Sequence, residues 1–391
     1  MKRPYRLAVW IAHPIQYQAP LFRRLAQHPE IDLTAYYGSE HGSVRRLDPE
    51  FGVSFEWDTP LLEGYRFKFL RNYSWKTAPT GFWWLMNAGI VRELIRQHYD
   101  AVLIHGYASA TSWLAYLGAW VSDTPVLFRG ETLLREQPAW KRAIKKVALR
   151  ALFRGTAGCL AIGRRSTEFY LAQGVPRSKI FLTPYCVDND YFTSQGDSWR
   201  LRRAEIRREL DLPEDVPVVL YSGKLIPRKR PMDLVSALTL LSGKVGALFV
   251  GDGSLGAALD AEVRRRGLPY VRFVGFQNQS ALPRYYVATD MFALPSAYEP
   301  YGLVVNEAMC MGLPVLTTPA VAAAADLVRE GENGFLFSVG DLESLARRIG
   351  QLATDPGLRL AMGKRSREII AGWNYDACVE GVVNALRHVA A

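Results

Sequence analysis

Short, continuously apolar runs alternate along this chain with longer stretches whose apolar residues recur at helical spacing. Residues 6–12, 31–37, 101–105, 125–128, 158–162 and 180–184 read as buried strands. Helices are predicted between them at 21–28, 82–98, 111–121, 140–154 and 166–173. A polar, charged stretch at 193–212 reads as a linker and lead-in to the second half of the chain. The alternation then resumes, with strands at 216–221, 247–251, 271–276, 291–296, 314–318 and 333–337. Helices are predicted at 232–241, 282–289, 303–311, 342–353, 356–370 and 373–389, and one more comes after residue 255. A strand apolar at every position is covered on both faces, and strict strand–helix alternation builds parallel, doubly wound sheets. At 391 residues the chain is too long for one ordinary domain and suits two α/β domains, 1–192 and 193–372.

The most informative stretch is 291–318, MFALPSAYEPYGLVVNEAMCMGLPVLTT. It reads as strand, loop, helix and strand, with Gly312 just past the helix and Pro314 two residues on. Glu299 lies in the loop and Glu307 in the helix, with seven residues between them. The loop–helix junction offers unpaired backbone N–H groups around 301–304, which suit an anion. A carboxylate on each side can accept hydrogen bonds from sugar or ribose hydroxyls; the plain alternative is a loop charge and a solvated helix residue. Upstream, Lys224 and Lys229 flank a proline turn after the strand at 216–221, behind Gly223. They are placed to converge on one anion.

The residues of this stretch resemble a known signature. Pro295-Ser296, Glu299-Pro300, Gly302-Leu303, Glu307-Ala308 and Gly312-Leu313-Pro314-Val315 look like the E-x7-E region of the family 4 retaining glycosyltransferases, the group 1 glycosyltransferases. The resemblance implies the GT-B fold: two Rossmann-like, doubly wound parallel-sheet domains facing each other across a cleft. The first would bind the acceptor and the second the nucleotide-sugar donor, with the end of the final helix, about 373–391, packing back on the first. It implies that Lys224 and Lys229 hold the diphosphate behind Gly223, and that Glu299 with the backbone of Pro300, Tyr301, Gly302 and Leu303 holds the sugar. Glu307 would take the ribose, and Phe276, with Gln277, would pack the nucleobase. Residues 252–255 and 333–337 are also family-like. The resemblance implies no metal and no cofactor beyond a nucleoside diphosphate sugar as co-substrate. Asp188-Asn189-Asp190 superficially matches a D-x-D metal motif and is read as hinge loop.

The first half departs more. Where the family commonly carries a Gly-Gly pair, this chain has His13-Pro14-Ile15-Gln16-Tyr17, a string similar to that of a small group of these transferases. His13 reads as a base or hydrogen-bond donor to the acceptor, or as a histidine packed at a strand end. Gln16 and Tyr17 share its loop. His105 ends another strand, and Arg129 stands where the family usually has His, followed by Glu131. Arg129 is a candidate to stabilise the departing diphosphate and Glu131 to bind the acceptor or orient Arg129; the alternative is a plain ion pair. Between 55 and 90 ten aromatic residues cluster, as core, as a stacking surface for the acceptor, or as a lipid contact.

Charge adds one feature. The net charge is +10, and residues 1–185 hold 25 Lys and Arg against 14 Asp and Glu, whereas 186–391 hold 23 against 24. With the basic amphipathic stretch at 140–154, this predicts weak contact of the first domain with an anionic membrane. No nucleic-acid motif is visible, and nucleic acid is not expected as a partner. Cys159, Cys186, Cys310 and Cys378 are dispersed without metal-ligand spacing. They and the early break of the N-terminal apolar run at His13-Pro14 read as a cytoplasmic protein, at the inner face of the membrane. The expected function is a metal-independent retaining glycosyltransferase using a UDP, GDP, ADP or dTDP sugar. Its acceptor is an unidentified glycan, lipid-linked or small molecule. A nucleotide-sugar epimerase or a non-catalytic nucleotide-sugar-binding protein on the same fold are the alternatives.

Overall fold

A computed structural model describes residues 3–48, 52–76, 81–131 and 139–390; for 46–47 and 139–146 only the backbone is described. The chain divides into two compact units. One comprises Met1–Arg45, Pro60–Tyr185 and Tyr375–Ala391, the other Arg46–Thr59 and Cys186–Asn374.

The first unit is built on β1 (Tyr5–Ile11), β2 (Ile31–Tyr37), β5 (Arg66–Phe69), β6 (Ala101–His105), β7 (Val126–Arg129), β8 (Gly158–Ala161) and β9 (Ile180–Leu182). The hairpin β3 (Arg46–Asp48) and β4 (Val53–Phe55) between them belongs to the second unit. The seven-stranded sheet runs β5-β2-β1-β6-β7-β8-β9 with every pair parallel. Helices α1 (Ala19–Gln27), α2 (Gly89–Gln97), α3 (Ala110–Val121), α4 (Ala139–Arg154) and α5 (Arg164–Ala172) connect the strands. Strand order reverses between β1 and β6, so the loops after these two strands diverge and open a crevice at their carboxyl ends. The terminal helix Tyr375–Val389 closes this unit. It seats directly on β9, where a Cβ on Gly381 would lie 2.0 Å from the Leu182 carbonyl oxygen. Cys378, Val382 and Leu386 are buried there.

The second unit has β10 (Val218–Ser222), β11 (Gly246–Val250), β12 (Val271–Phe273), β13 (Met291–Leu294), β14 (Val315–Thr317) and β15 (Gly334–Leu336). Their order is β12-β11-β10-β13-β14-β15, again parallel throughout, with the reversal between β10 and β13. Both sheets are thus the doubly wound α/β type expected from the alternation of elements. The central strands are buried along nearly their whole length, with only Arg6 of β1 and His105 of β6 partly exposed, because helices cover both faces.

Three local expectations are corrected. Residues 193–212 are not a plain linker: they carry the helices Asn189–Arg200 and Arg203–Glu209. Asp188 caps the first by accepting from the Tyr191 amide at 3.0 Å, and Arg203 and Arg207 of the second both pair with Asp290, at 2.8 and 3.3 Å. The polar composition hid helices held by long-range ion pairs. The segment 82–98 is a short 3-10 turn, Phe82–Trp84, then α2 beginning only at Gly89. The aromatic cluster at 55–90 is not one group. Phe55 and Trp57 lie in the second unit, Tyr65 bonds Tyr37 in the first (2.7 Å), and Trp75 stacks on Trp83 at an exposed site. No helix among the described residues is long and apolar enough to cross a membrane.

Candidate active site

The second unit gathers its polar residues at the carboxyl ends of β10 and β13, where its strand order reverses. The loop after β10 begins at Gly223, whose φ of 136° only glycine adopts easily. The backbone is tight here: a Cβ on Gly251 would lie 2.1 Å from the Gly223 carbonyl oxygen. Two glycines therefore let the loops after β10 and β11 run in contact. A hydrogen bond from the Ala297 amide to the Arg228 carbonyl, 2.9 Å, ties the β10 loop to the β13 loop.

This tie brings Lys229 to Glu299. The Nζ and Oε2 atoms are 2.8 Å apart and both residues are buried. Arg228 approaches the same carboxylate at 3.6 Å. Glu299 is held from behind, its amide donating to Ala320 and its carbonyl accepting from Ala322. Gly302, with φ 101°, turns the loop into the helix Leu303–Cys310. A Cβ there would meet Val321 Cγ1 at 2.9 Å. The helix begins with no side-chain cap, so its first amides point outward at the junction. Glu307 lies inside it, buried, accepting from the Tyr286 hydroxyl at 2.6 Å. Burial pushes the Glu307 carboxyl up to about 7, against the opposing effects of the Tyr286 hydrogen bond and the Lys229 charge. Burial also raises the Tyr286 hydroxyl well above its usual range, with the Glu307 charge adding to it.

Among the described residues, Lys224 meets a carboxylate other than that of Lys229. Lys224 Nζ lies 3.1 Å from both carboxylate oxygens of Asp48, on the excursion 46–59. That excursion also carries Phe55, which stacks on Phe276 with centroids 4.3 Å apart. Gln277 donates to the Val274 carbonyl at 2.7 Å. Pro300 is half-buried, and Tyr301 is buried with its side chain turned towards Trp373 and Asn306. It is therefore the backbone of Tyr301, and not its ring, that lines the junction.

The first unit gathers a second group at the ends of β1, β6 and β7. His13 donates through Nδ1 to the Pro14 carbonyl at 2.9 Å, and its ring meets His41 edge-on at 5.0 Å. Burial holds its imidazole below the usual range, and His41 adds to the effect. His105 and Arg129 pair across β6 and β7. Burial, then the Arg129 charge, keeps His105 well below its usual range and hence neutral. Its Nε2 is buried without a hydrogen-bond partner among the described residues, as is Gln18 Oε1. The Arg129 guanidinium is itself buried. It donates to the Thr183 carbonyl at 3.1 Å and to Cys378 Sγ at 3.4 Å, and lies 4.9 Å over the Tyr185 ring. Tyr17 packs on Tyr185 and donates to Glu131 Oε1 at 3.3 Å. Gln16 is half-buried on the same loop.

Sequence reasoning missed Asp48, Tyr286 and His41, and placed Phe55 in the aromatic cluster without its partner Phe276. Tyr286 lies 21 residues before its carboxylate and Asp48 lies 176 residues before its lysine, and no local spacing relates either pair.

Residues 202–369 match the family model of the glycosyl transferases group 1. A lipopolysaccharide core biosynthesis glycosyltransferase of Rhizobium meliloti, LpsE, is 34% identical over 167 residues, 42% of this chain and 48% of that protein. The chain thus aligns with about half of LpsE. A D-inositol 3-phosphate glycosyltransferase of Salinispora tropica is 31% identical over 322 residues, 76% of this chain and 66% of the relative. The crystal structure of Anabaena HepE in complex with UDP has the same fold, at a TM-score of 0.73 and 19% identity over 98% of this chain and 99% of that one. The fold is thus that of the GT-B structures, and the relatives to which the chain is similar are glycosyltransferases. The segment that matches the group 1 glycosyltransferases lies within the second unit.

Proposed function

We propose that this protein is a retaining glycosyltransferase that moves a sugar from a nucleoside diphosphate sugar to an acceptor without a bound metal. The observation that carries the proposal is the buried Lys229–Glu299 pair beside the buried Glu307, at the strand-order reversal of the second unit. Glu307 accepts hydrogen bonds from the ribose hydroxyls of the donor. Glu299 and the amides at Gly302 and Leu303 hold the sugar. Lys229 faces the charge that develops on the diphosphate as its bond to the anomeric carbon breaks, and preorganised charge of this kind is a major contribution to catalysis. Lys224 joins it by exchanging Asp48 for phosphate, and Phe276 packs the base once Phe55 moves off. The acceptor hydroxyl attacks from the face that the diphosphate leaves, and its proton passes to the departing phosphate oxygen, so the anomeric configuration is retained. In the first unit His13, His105, Gln16, Tyr17 and Glu131 form the acceptor side, with Arg129 as the buried cation that orders it.

HepE was crystallised with UDP, which supports a uridine diphosphate donor. The names of the relatives, a lipopolysaccharide core transferase and a D-inositol 3-phosphate transferase, support a carbohydrate or polyol phosphate acceptor. A cytoplasmic location with weak contact between the first unit and an anionic membrane belongs to the same proposal, from its excess of Lys and Arg.

The test is a thermal-shift panel of UDP, GDP, ADP, dTDP and CMP, with and without EDTA, on wild type and Glu307→Ala. A ligand that binds only the folded form raises Tm. One diphosphate should stabilise wild type, be indifferent to EDTA and lose its effect in the variant. No shift with any nucleotide would overturn the donor reading, and a shift abolished by EDTA would overturn metal independence.

A further inference from the structure

Helix α3 is built the wrong way round for a helix facing water. Its buried residues are small or polar: Ala110, Thr111, Ser112, Ala115, Gly118 and Ala119. Small residues suit that face, because α2 comes so near that a Cβ on Gly118 would lie 3.0 Å from Val91 Cα. The large apolar residues Trp113, Leu117, Trp120 and Val121 share the opposite face, at helical spacing, and all are exposed, Trp120 to 80%. A soluble helix places such residues inward. A contiguous outward stripe of them marks a surface with a partner.

The stripe borders a groove of about 660 Å3 between α3 and α4, with Tyr116, Pro125 and Leu152 among its walls. At its end the groove adjoins a cleft of about 380 Å3 that shares Arg154 and Lys179 with it and adds Arg150. Among the described residues no carboxylate lines this cleft, and none of the three cations has an ion pair there. Pro125, Thr156 and Lys179 stand at the amino ends of β7, β8 and β9. The surface is therefore at the opposite end of the strands from the acceptor-side group.

We propose that the outer face of α3 and the adjoining Arg150–Arg154–Lys179 cleft form a docking site for an anionic phospholipid surface. Indole rings settle at the headgroup level, where one edge is apolar and the other wet, and the cations meet lipid phosphates. Charge complementarity selects this occupant: an apolar stripe next to a cationic cleft matches a bilayer interface. The inference deepens the membrane contact proposed for the first unit and is independent of the donor reading.

Full-length protein is sedimented with phosphatidylglycerol and with phosphatidylcholine vesicles, at low and high salt. Binding is expected to phosphatidylglycerol alone and to weaken with salt. Arg154→Gln and Lys179→Gln should each lower the partition coefficient about five-fold, and Leu117→Ser/Trp120→Ser should abolish binding. Brominated lipid should quench a part of the tryptophan fluorescence that is missing in Trp120→Phe. Each variant is also assayed for its thermal shift with UDP. An unchanged shift shows an intact fold. Vesicle binding that depends on Trp120 and Lys179 supports the inference even if UDP gives no shift. Absence of binding to phosphatidylglycerol, or binding undiminished in the variants, overturns it.

Discussion

Lys229 lies 2.8 Å from Glu299, and its charge lowers the proton affinity of Glu307. One buried cation thus serves two buried carboxylates. Lys229→Ala should lower kcat/KM for the donor by about 10²–10³, ~2–4 kcal/mol of transition-state stabilisation. Steady-state kinetics measures this, and turnover equal to wild type would remove Lys229 from the chemistry. Glu307 makes a separate prediction. Its folded-state pKa of about 7 lies above the ordinary 4.5, so the native state binds its proton more tightly than the unfolded state. The resulting stabilisation is complete below about pH 4.5 and is lost as pH rises to about 7; it is on the order of 3 kcal/mol. Glu307→Gln does not titrate. Its Tm relative to wild type should therefore rise between pH 5 and pH 8, and parallel pH profiles would mean that the carboxyl ionises normally. Glu299, the two lysines and Gly223 were legible in the sequence because they sit in short loops after apolar runs, and Glu307 because it lies in the helix that follows one of these loops. Tyr286 and Asp48 were not, because each meets its partner only through the folding of the sheet.

The loop–helix element at 295–310 depends on one backbone conformation. Gly302 has φ 101° and no room for a methyl group beside Val321. Gly302→Ala should cost ~1–3 kcal/mol in urea denaturation and weaken UDP binding, since the same residue directs the first amides of the helix. A variant with wild-type stability and UDP affinity would show that the junction tolerates rearrangement. Helix α3 shows the other side of legibility. The apolar pattern at 111–121 predicts a helix, and one is found at Ala110–Val121. The pattern does not say which face is inward, because Ala and Gly pack as tightly as large residues where another helix approaches closely. Likewise 193–212 looked like a linker, although its arginines reach a distant Asp290.

Each unit of the whole molecule has its own sheet and core. Calorimetry should therefore resolve two transitions, and UDP should raise only that of the second unit, by ~2.7 kcal/mol at a hundredfold excess over Kd. Deleting residues 375–391 should lower or abolish the other transition. It removes Cys378, Val382 and Leu386 from the first core and takes a partner from Arg129. The UDP-sensitive transition should persist. If the truncated chain keeps both transitions unchanged, the terminal helix is not part of the first core.

Local pattern in the chain suffices for the alternation of strand and helix, the class of both sheets, and the glycines, lysines and glutamates around two strand ends. Each of these rests on near neighbours: an apolar run, a turn that needs glycine, a loop a few residues long. What each charge meets is instead a product of packing. Strand order brings the β10 and β13 loops together and so pairs Lys229 with Glu299. The excursion 46–59 joins the second unit and gives Lys224 its carboxylate. The close approach of α2 turns the large residues of α3 outward. Contacts of this kind join residues tens to hundreds of positions apart, and their partners are chosen by which surfaces pack, which no local pattern records.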